Sequence, residues 1–453
     1  MPDKQFRAGA ATSNVTPPLG VSLNGGMQDR TAEHIHDELH ARCLVLDDGE
    51  HRLAIVVCDS CMIPQAILNK AKHLAHGHTG IPLDQMLISA THTHTAPTAG
   101  SVFQSDPDPH YGEFLATRIA DGIRRAVNNF VQAKIGWGVG REEKQVFNRR
   151  WTMKSGVEML DPFGRPDHVR MNPPQASSDL VEPAGPIDPE VGVLAVQTVA
   201  GKPLALLANY SLHYVGGTGP NHVSADYYGA FADRVQQLLG AGSQDPPFVG
   251  MMSNGTSGNI NNVNFREKAE TQPPYAQIRK VAEALATEAA RVAGSIEYRA
   301  WAPLAMRESR LRLGRRLTPK DEVARAKFIL SQAKPGVLQK VEEIYARETV
   351  LLNEYPPFVE TIVQALRIGD LGIAASPCET FVETGLAIKA ASPLKPTFTI
   401  ELANDYCGYL PTEEHHKLGG YETWRARSSF LEVDSEAKIR AKILELLNFV
   451  AKA

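Results

Sequence analysis

The feature that most constrains this fold is an alternation of two periodicities over the first 300 or so residues. Short apolar, β-branched runs bounded by turn residues recur as RLAIVVC (52–58), QMLISA (85–90), AKIGWGV (133–139), VGVLAVQTV (191–199), PLALLANYS (203–211) and PFVGMMS (247–253). These read as strands. Segments of helical period lie between and after them, including residues 110–131, 226–239 and 275–294. Strands alternating with helices imply an α/β fold, a mixed β-sheet core flanked by helices.

From Pro319 to about Asn353 the chain turns helical and charged, and Pro335 with Gly336 breaks the pattern in two. We expect a helical hairpin over 319–353, inserted between strands. In VQALRIGDLGIAASP (363–377), Gly369 and Asp370 separate two alternating apolar runs and predict a tight β-hairpin. A final helix is expected over 434–452. Residues 148–189, rich in Pro, Asp, Asn and Ser without periodicity, read as an ordered lid or wall of a site. The 453 residues fit one large domain with insertions or two closely joined domains.

Composition narrows the function. Apolar residues make up 43% and charged residues 22%, and no stretch approaches the roughly 18 apolar residues of a membrane span, so a soluble protein is expected. The opening MPDKQFRAGAATSNVTPP lacks the basic segment and apolar run of a secretion leader, which predicts a cytoplasmic location. Five cysteines make no disulfide framework, and Cys58 and Cys61 form a CxxC with no second CxxC to complete a zinc knuckle. Reduced, structural thiols are expected. A net charge of −4 without basic runs argues against nucleic acid and for a small-molecule or amphiphilic substrate, and leaves room for a homo-oligomer.

The most informative motif is ISATHTHTAPTAG (88–100), where a strand runs into a loop carrying His92 and His94. On an extended chain two residues apart face the same way, so both imidazoles could serve a metal, or merely hydrogen-bond the loop. A third candidate, His213, ends the apolar run LLANYSLHY before Gly216 and Gly217, whereas His222 reads as a solvated loop residue. The acidic candidate is Glu379 in IAASPCETFVETG, with Glu383 one turn on as the fallback; an acid there also suits a helix N-terminus.

These segments together resemble the catalytic domain of the neutral, non-lysosomal ceramidase family. The resemblance starts at RAGAATSNVTPPLGVSLNGG and HDELHARCLVLDDGEHRLAIVVCDS and runs with gaps to about residue 433, with ISATHTH its most specific signature. It implies a single catalytic domain over 1–453, and one zinc ion per chain held by His92, His213, Glu379 and Tyr409, the last in ELANDYCGYLPTEEHH, where Tyr406 competes. It also implies that His94 faces the substrate and that Arg149 in VFNRRW points into the site, although an arginine beside Arg150 could equally be a surface residue. Where the family carries a serine, SNGTSGNINNVNF offers Ser257 under one alignment and Asn261 under another. The sequence leaves no room for the family's extra C-terminal β-domain, so a short member is expected.

The expected activity is zinc-dependent hydrolysis of an amide (N-acyl) bond by metal-activated water, with His94, Arg149, Ser257 and Tyr409 as catalytic candidates. No organic cofactor motif appears. An esterase or lactonase on the same site, or a metal- or lipid-binding protein without turnover, remains as the alternative. The helices 275–294 and 434–452 alternate apolar and charged positions, and neither they nor the rest of the sequence supplies an exposed apolar rim, which points to a compact, soluble N-acyl substrate.

Overall fold

The structure is a computed structural model describing residues 5–453; residues 1–4, part of the opening stretch read above for a leader, lie outside the described residues. Two sheets organise the chain. The larger has eight strands: β1 (Arg7–Asn14), β2 (His40–Asp47), β3 (Arg52–Cys58), β4 (Met86–Ala90), β5 (Val131–Arg141), β6 (Glu190–Thr198), β7 (Pro203–Tyr210) and β8 (Val249–Asn254), in the order β8-β7-β6-β5-β1-β2-β3-β4. The smaller has four, β9 (Leu304–Gly314), β10 (Phe358–Ile368), β11 (Leu371–Ala375) and β12 (Thr397–Ile400), in sequence order.

Burial explains why the strand runs are almost continuously apolar. Cys43, Val45, Val56 and Ile88 face the helices α1 (Gln65–Thr79) and α2 (Tyr111–Asn128) on one side of the large sheet. Their neighbours Leu44, Ile55, Val57 and Leu87 face the other way, into a core shared with Leu366, Ile373, Phe398 and Ile400 of the small sheet. A strand covered on both faces has no solvent side to mark with polar residues. The outer face of the small sheet, with Val363, Ala365 and Ala374, is covered by the last helix, Ser435–Val450. The remaining half of the large sheet is covered by α3 (Asp226–Leu238) and α4 (Ala276–Ser295). The layers are therefore helix, sheet, sheet, helix.

Most strand pairs are antiparallel. Within these two sheets the parallel ones are β3 with β4, β7 with β8, and β11 with β12. A parallel pair needs a crossover, and each encloses one helix: α1, α3, and a helix over Val382–Ala391. The carboxyl ends of these strands are where a ligand site forms in such folds.

The helical hairpin is present as Lys320–Gln332 and Val341–Asn353, and the β-hairpin turns at Gly369 and Asp370 between β10 and β11. Strand β9 was not anticipated, because Arg307, Glu308, Arg310 and Arg312 interrupt its apolar pattern; it is an edge strand with one flank open. Residues 148–189 are not wholly irregular. They contain a three-stranded sheet of Arg150–Met153, Arg170–Met171 and Leu180–Pro183, strands too short for any periodicity to register. All five cysteines are unpaired and buried, and among the described residues no helix is long and apolar enough to cross a membrane.

Candidate metal centre and active site

The carboxyl ends of the three parallel pairs converge. His92 follows β4, His213 follows β7, and Glu379 follows β11, in a bridge whose partner is Tyr409. The proximity of His92 and His94 does not come from an extended chain. The strand has ended at Ala90, and His92 adopts φ 78°, so a turn brings the two Nε2 atoms to 3.1 Å. Glu379 likewise is not at a helix N-terminus, since the following helix starts only at Val382; Glu383, in its first turn, bonds Asn259 and pairs with His415 instead of joining the cluster.

His92 Nε2 lies 3.0 Å from His213 Nε2 and 3.3 Å from Glu379 Oε2, which is 3.9 Å from His213 Nε2. All three side chains are buried. The opposite ring nitrogens are fixed by carbonyls: His92 Nδ1 donates to Cys61 O at 2.8 Å and His213 Nδ1 to Ser257 O at 3.2 Å. A carbonyl accepts only, so the Nδ1 atoms carry the protons and both Nε2 lone pairs point at one another and at a carboxylate. Glu379 Oε2 closes no conventional hydrogen bond of its own. Three electron-rich atoms facing a common point suit a cation, and this donor set matches a zinc ion in the chemistry of its ligands.

The protonation of the group follows from burial and neighbours. Burial pushes His213 and His94 well below the usual imidazole range, helped by Arg149 and His92 for the first and by His92 and Arg30 for the second. Burial opposes charge on His92 as well, but the Glu379 carboxylate overrides it and raises that ring. Burial would also raise Glu379, but the neighbouring His92 and Arg149 hold its carboxyl below the usual range.

His94 is stacked face to face on Tyr214 with ring centroids 3.6 Å apart, and Gly25, at φ 100°, lies where a Cβ would collide with the imidazole. Arg149 is no surface residue. Its Nε donates to Glu422 Oε1 at 2.9 Å, and its Nη2 to Gly258 O at 2.8 Å and to Tyr409 Oη at 3.1 Å. Arg150 takes the other oxygen of Glu422 at 2.8 Å, so one buried carboxylate anchors both arginines. Tyr406, the competing tyrosine, donates to Glu379 Oε1 at 2.9 Å, while Tyr409 Oη sits with Arg149. Burial, then Glu379, raises both phenols, which stay protonated near neutrality.

Ser257 is buried beside His213, on the Nδ1 side of its ring. Its hydroxyl donates to Glu401 Oε1 at 2.7 Å and is 3.4 Å from His213 Nδ1. Asn261 donates to Asn172 Oδ1 at 2.8 Å and lies on the wall of a cleft of about 410 Å³ that also touches Arg149, His213 and Tyr214. Asn172, Pro173, Pro174 and Gln175 of the 148–189 region form another wall of this cleft.

Four contributors were not found in the sequence. Tyr214 follows His213 directly and could have been suspected from that adjacency. Glu401 follows strand β12 in TFTIE, an acid after an apolar run, and burial raises it to about 8. Cys61 acts through its backbone carbonyl, which no side-chain pattern reveals, and Glu422 sits in a short 3-10 turn (Tyr421–Thr423) with no periodicity.

An α/β fold that gathers two histidines and a glutamate at the ends of parallel strands is the class these observations define. No protein-family model matches the chain. It is 24% identical to neutral ceramidase A of Dictyostelium discoideum over 257 residues, covering 55% of this chain and 34% of that protein. It is 24% identical to the neutral ceramidase of Pseudomonas aeruginosa over 483 aligned positions, 93% of this chain and 69% of that one. The crystal structure of the Pseudomonas aeruginosa neutral ceramidase superposes with a TM-score of 0.74 at 19% identity, over 99% of this chain and 75% of that chain. A ceramidase structure complexed with C2 gives 0.73 at 18%, with the same coverage. The chain is thus similar to neutral ceramidases in sequence, and it shares their fold, the mixed α/β architecture expected from sequence.

Proposed function

We propose that this protein hydrolyses the amide bond of a compact N-acyl substrate with a zinc ion held by His92, His213 and Glu379, beside Tyr409. The observation that carries the reading is the convergence of two Nε2 lone pairs and a carboxylate oxygen on one buried point, with Nδ1 of each imidazole already committed to a carbonyl. Zinc, when bound, supplies Lewis acidity and a water made nucleophilic near pH 7. Similarity to proteins named neutral ceramidases supports an amide as the bond attacked.

The protein's own groups supply the rest. His94, held neutral by burial and clamped on Tyr214, is placed to accept a proton and return it to the leaving amine. Arg149 is fixed by Glu422 and Gly258, so its charge reaches the site without reorganisation and can steady a developing oxyanion. Ser257, bonded to Glu401 and beside His213 Nδ1, suits a positioning role and not that of a nucleophile. The walls of the cleft limit what enters, and 410 Å³ is the size of a small-molecule site.

One surface feature differs from the sequence reading. Leu317 and Phe328, each about two thirds exposed at 66% and 67%, stand at or on the helical hairpin with Val337 and Val341 also exposed. The test therefore uses matched N-acyl amides and esters of about two to about sixteen carbons on zinc-loaded protein, where each buried methylene contributes about 0.8 kcal/mol. Amide turnover whose kcat/KM levels off at short chains is expected. A rate that climbs through the longest chain would replace the compact substrate with a long-chain one approached over the hairpin. Faster esters with inert amides would overturn the amide assignment.

A further inference from the structure

We propose that His34, His36 and His222 form a second, surface site for a divalent transition cation of the zinc type. One nitrogen from each ring lies within 4.8 Å of the others. The site goes beyond the buried centre and does not depend on it.

The backbone builds this cluster. His34 and Ile35 pair in parallel with His222 and Val223, so His34 stands directly beside His222, and their ring centroids are 4.5 Å apart. His36 is two residues on and emerges on the same side as His34. Tyr275 then fixes both remaining rings. It stacks on His36 at 3.6 Å and 16°, and its hydroxyl is 2.7 Å from His222 Nδ1. Tyr275 is itself held at φ 65° with its amide donating to Gly217 O at 2.8 Å. Gly219 lets the His222 ring press against the backbone, for a Cβ there would fall 2.3 to 2.6 Å from three ring atoms.

The chemistry of this arrangement is that of a ligand set. A metal-bound imidazole normally donates its far N–H to a fixed acceptor, and Tyr275 Oη, 2.7 Å from His222 Nδ1, can take that proton and leave Nε2 for the cation. Three imidazole nitrogens with no carboxylate among them select a borderline, nitrogen-preferring ion such as Zn²⁺ or, with higher affinity, Cu²⁺, over Mg²⁺ or Ca²⁺. The fourth position is open to solvent. Two residues past His222, the carbonyl of Ser224 accepts the hydroxyls of Thr93 at 2.7 Å and Thr95 at 2.8 Å, which flank His94. An ion here would brace the 34–36 and 222–223 segments against the loop that carries the buried histidines.

The experiment is zinc binding to the full, chelator-stripped chain by equilibrium dialysis, read as metal per chain, with cobalt absorption as an independent report of coordination. The native chain should take up about two equivalents. The double variant His34→Asn with His36→Asn, and separately His222→Asn, should each bind one fewer, while His92→Ala loses the other. Loss of a direct ligand should weaken the site by more than the about 10- to 100-fold typical of an outer-shell partner. One equivalent in the native chain, retained by the His34 and His222 variants and lost in His92→Ala, overturns the inference and leaves the buried centre standing. One equivalent lost in the His34 and His222 variants but kept by His92→Ala upholds it and removes the buried centre. No bound zinc in any chain rejects both.

Discussion

The two clusters of ligating side chains are built from opposite materials. His92, His213 and Glu379 are buried at the ends of strands from both sheets, and each imidazole is backed by a carbonyl. His34, His36 and His222 lie at the surface on a two-residue ladder, oriented by one tyrosine. The difference decides what each costs when empty. A buried cluster of a carboxylate and imidazoles carries a desolvation cost of several kcal/mol, whereas exposed rings are simply hydrated. The buried group is therefore coupled to the stability of the whole fold, and the surface group is coupled to ion concentration.

The largest effect separating the two should come from the buried ligands. His92→Ala or His213→Ala should remove one metal equivalent and lower kcat/KM by more than the about 10- to 100-fold of an outer-shell change, with the fold retained by circular dichroism. Full metal content in both variants would break the contrast. Next in size is the arginine pair on Glu422. Arg149→Met should cost about 100- to 1000-fold in kcat/KM, as loss of an oxyanion donor does. Arg150→Met, whose partner Glu422 is wholly buried, should instead appear as about 3 to 5 kcal/mol in urea unfolding. If the two variants have the same profile, Arg149 is only a structural ion pair.

A smaller change tests the layer behind the ligands. Ser257→Ala should lower kcat by about 10- to 100-fold through His213, and an acyl group trapped on Ser257 during turnover would make it the nucleophile and overturn the positioning role. The smallest effect concerns the connection between the two clusters. Asp226 accepts three backbone amides, from Val215, Gly216 and Tyr227, yet burial raises its carboxyl to about 6 from 3.8. The native state thus holds a proton that the unfolded chain releases between these values. Its contribution to stability is complete below pH 3.8 and is lost as the pH rises to about 6, by at most about 1.4 kcal/mol per unit. Unfolding of Asp226→Asn across that window should show a flatter pH slope than the native chain, and equal slopes would remove Asp226 as the titrating group.

How far the sequence discloses this molecule depends on how local each feature is. The six strands β3 to β8 of the large sheet and the long helices were legible because burial writes continuous apolar runs in strands and a helical stripe in helices. β9 escaped because an edge strand tolerates Arg307, Arg310 and Arg312. His92, His94, His213 and Glu379 could be read because strand ends are recognisable, but the reason for the pairing of His92 with His94 could not, since a positive φ at His92 replaces the extended geometry. His222 was read as a solvated loop residue; it is half-buried, and what gives it company is a parallel pairing with His34, far away in sequence. Contacts through carbonyls, such as Cys61 to His92, leave no trace in side-chain identity at all.

The proposed ligands lie on separate crossovers, so the complete set exists only when both sheets are in place. His92 and His213 belong to the large sheet, but Glu379 follows a strand of the small one. During synthesis a chain made only as far as the eight-stranded sheet would own the two imidazoles without the carboxylate, a weak and incomplete trap for any ion. Full-strength binding of an ion proposed for this centre therefore requires the second sheet docked on the first, so the rate of uptake would report the joining of the two sheets.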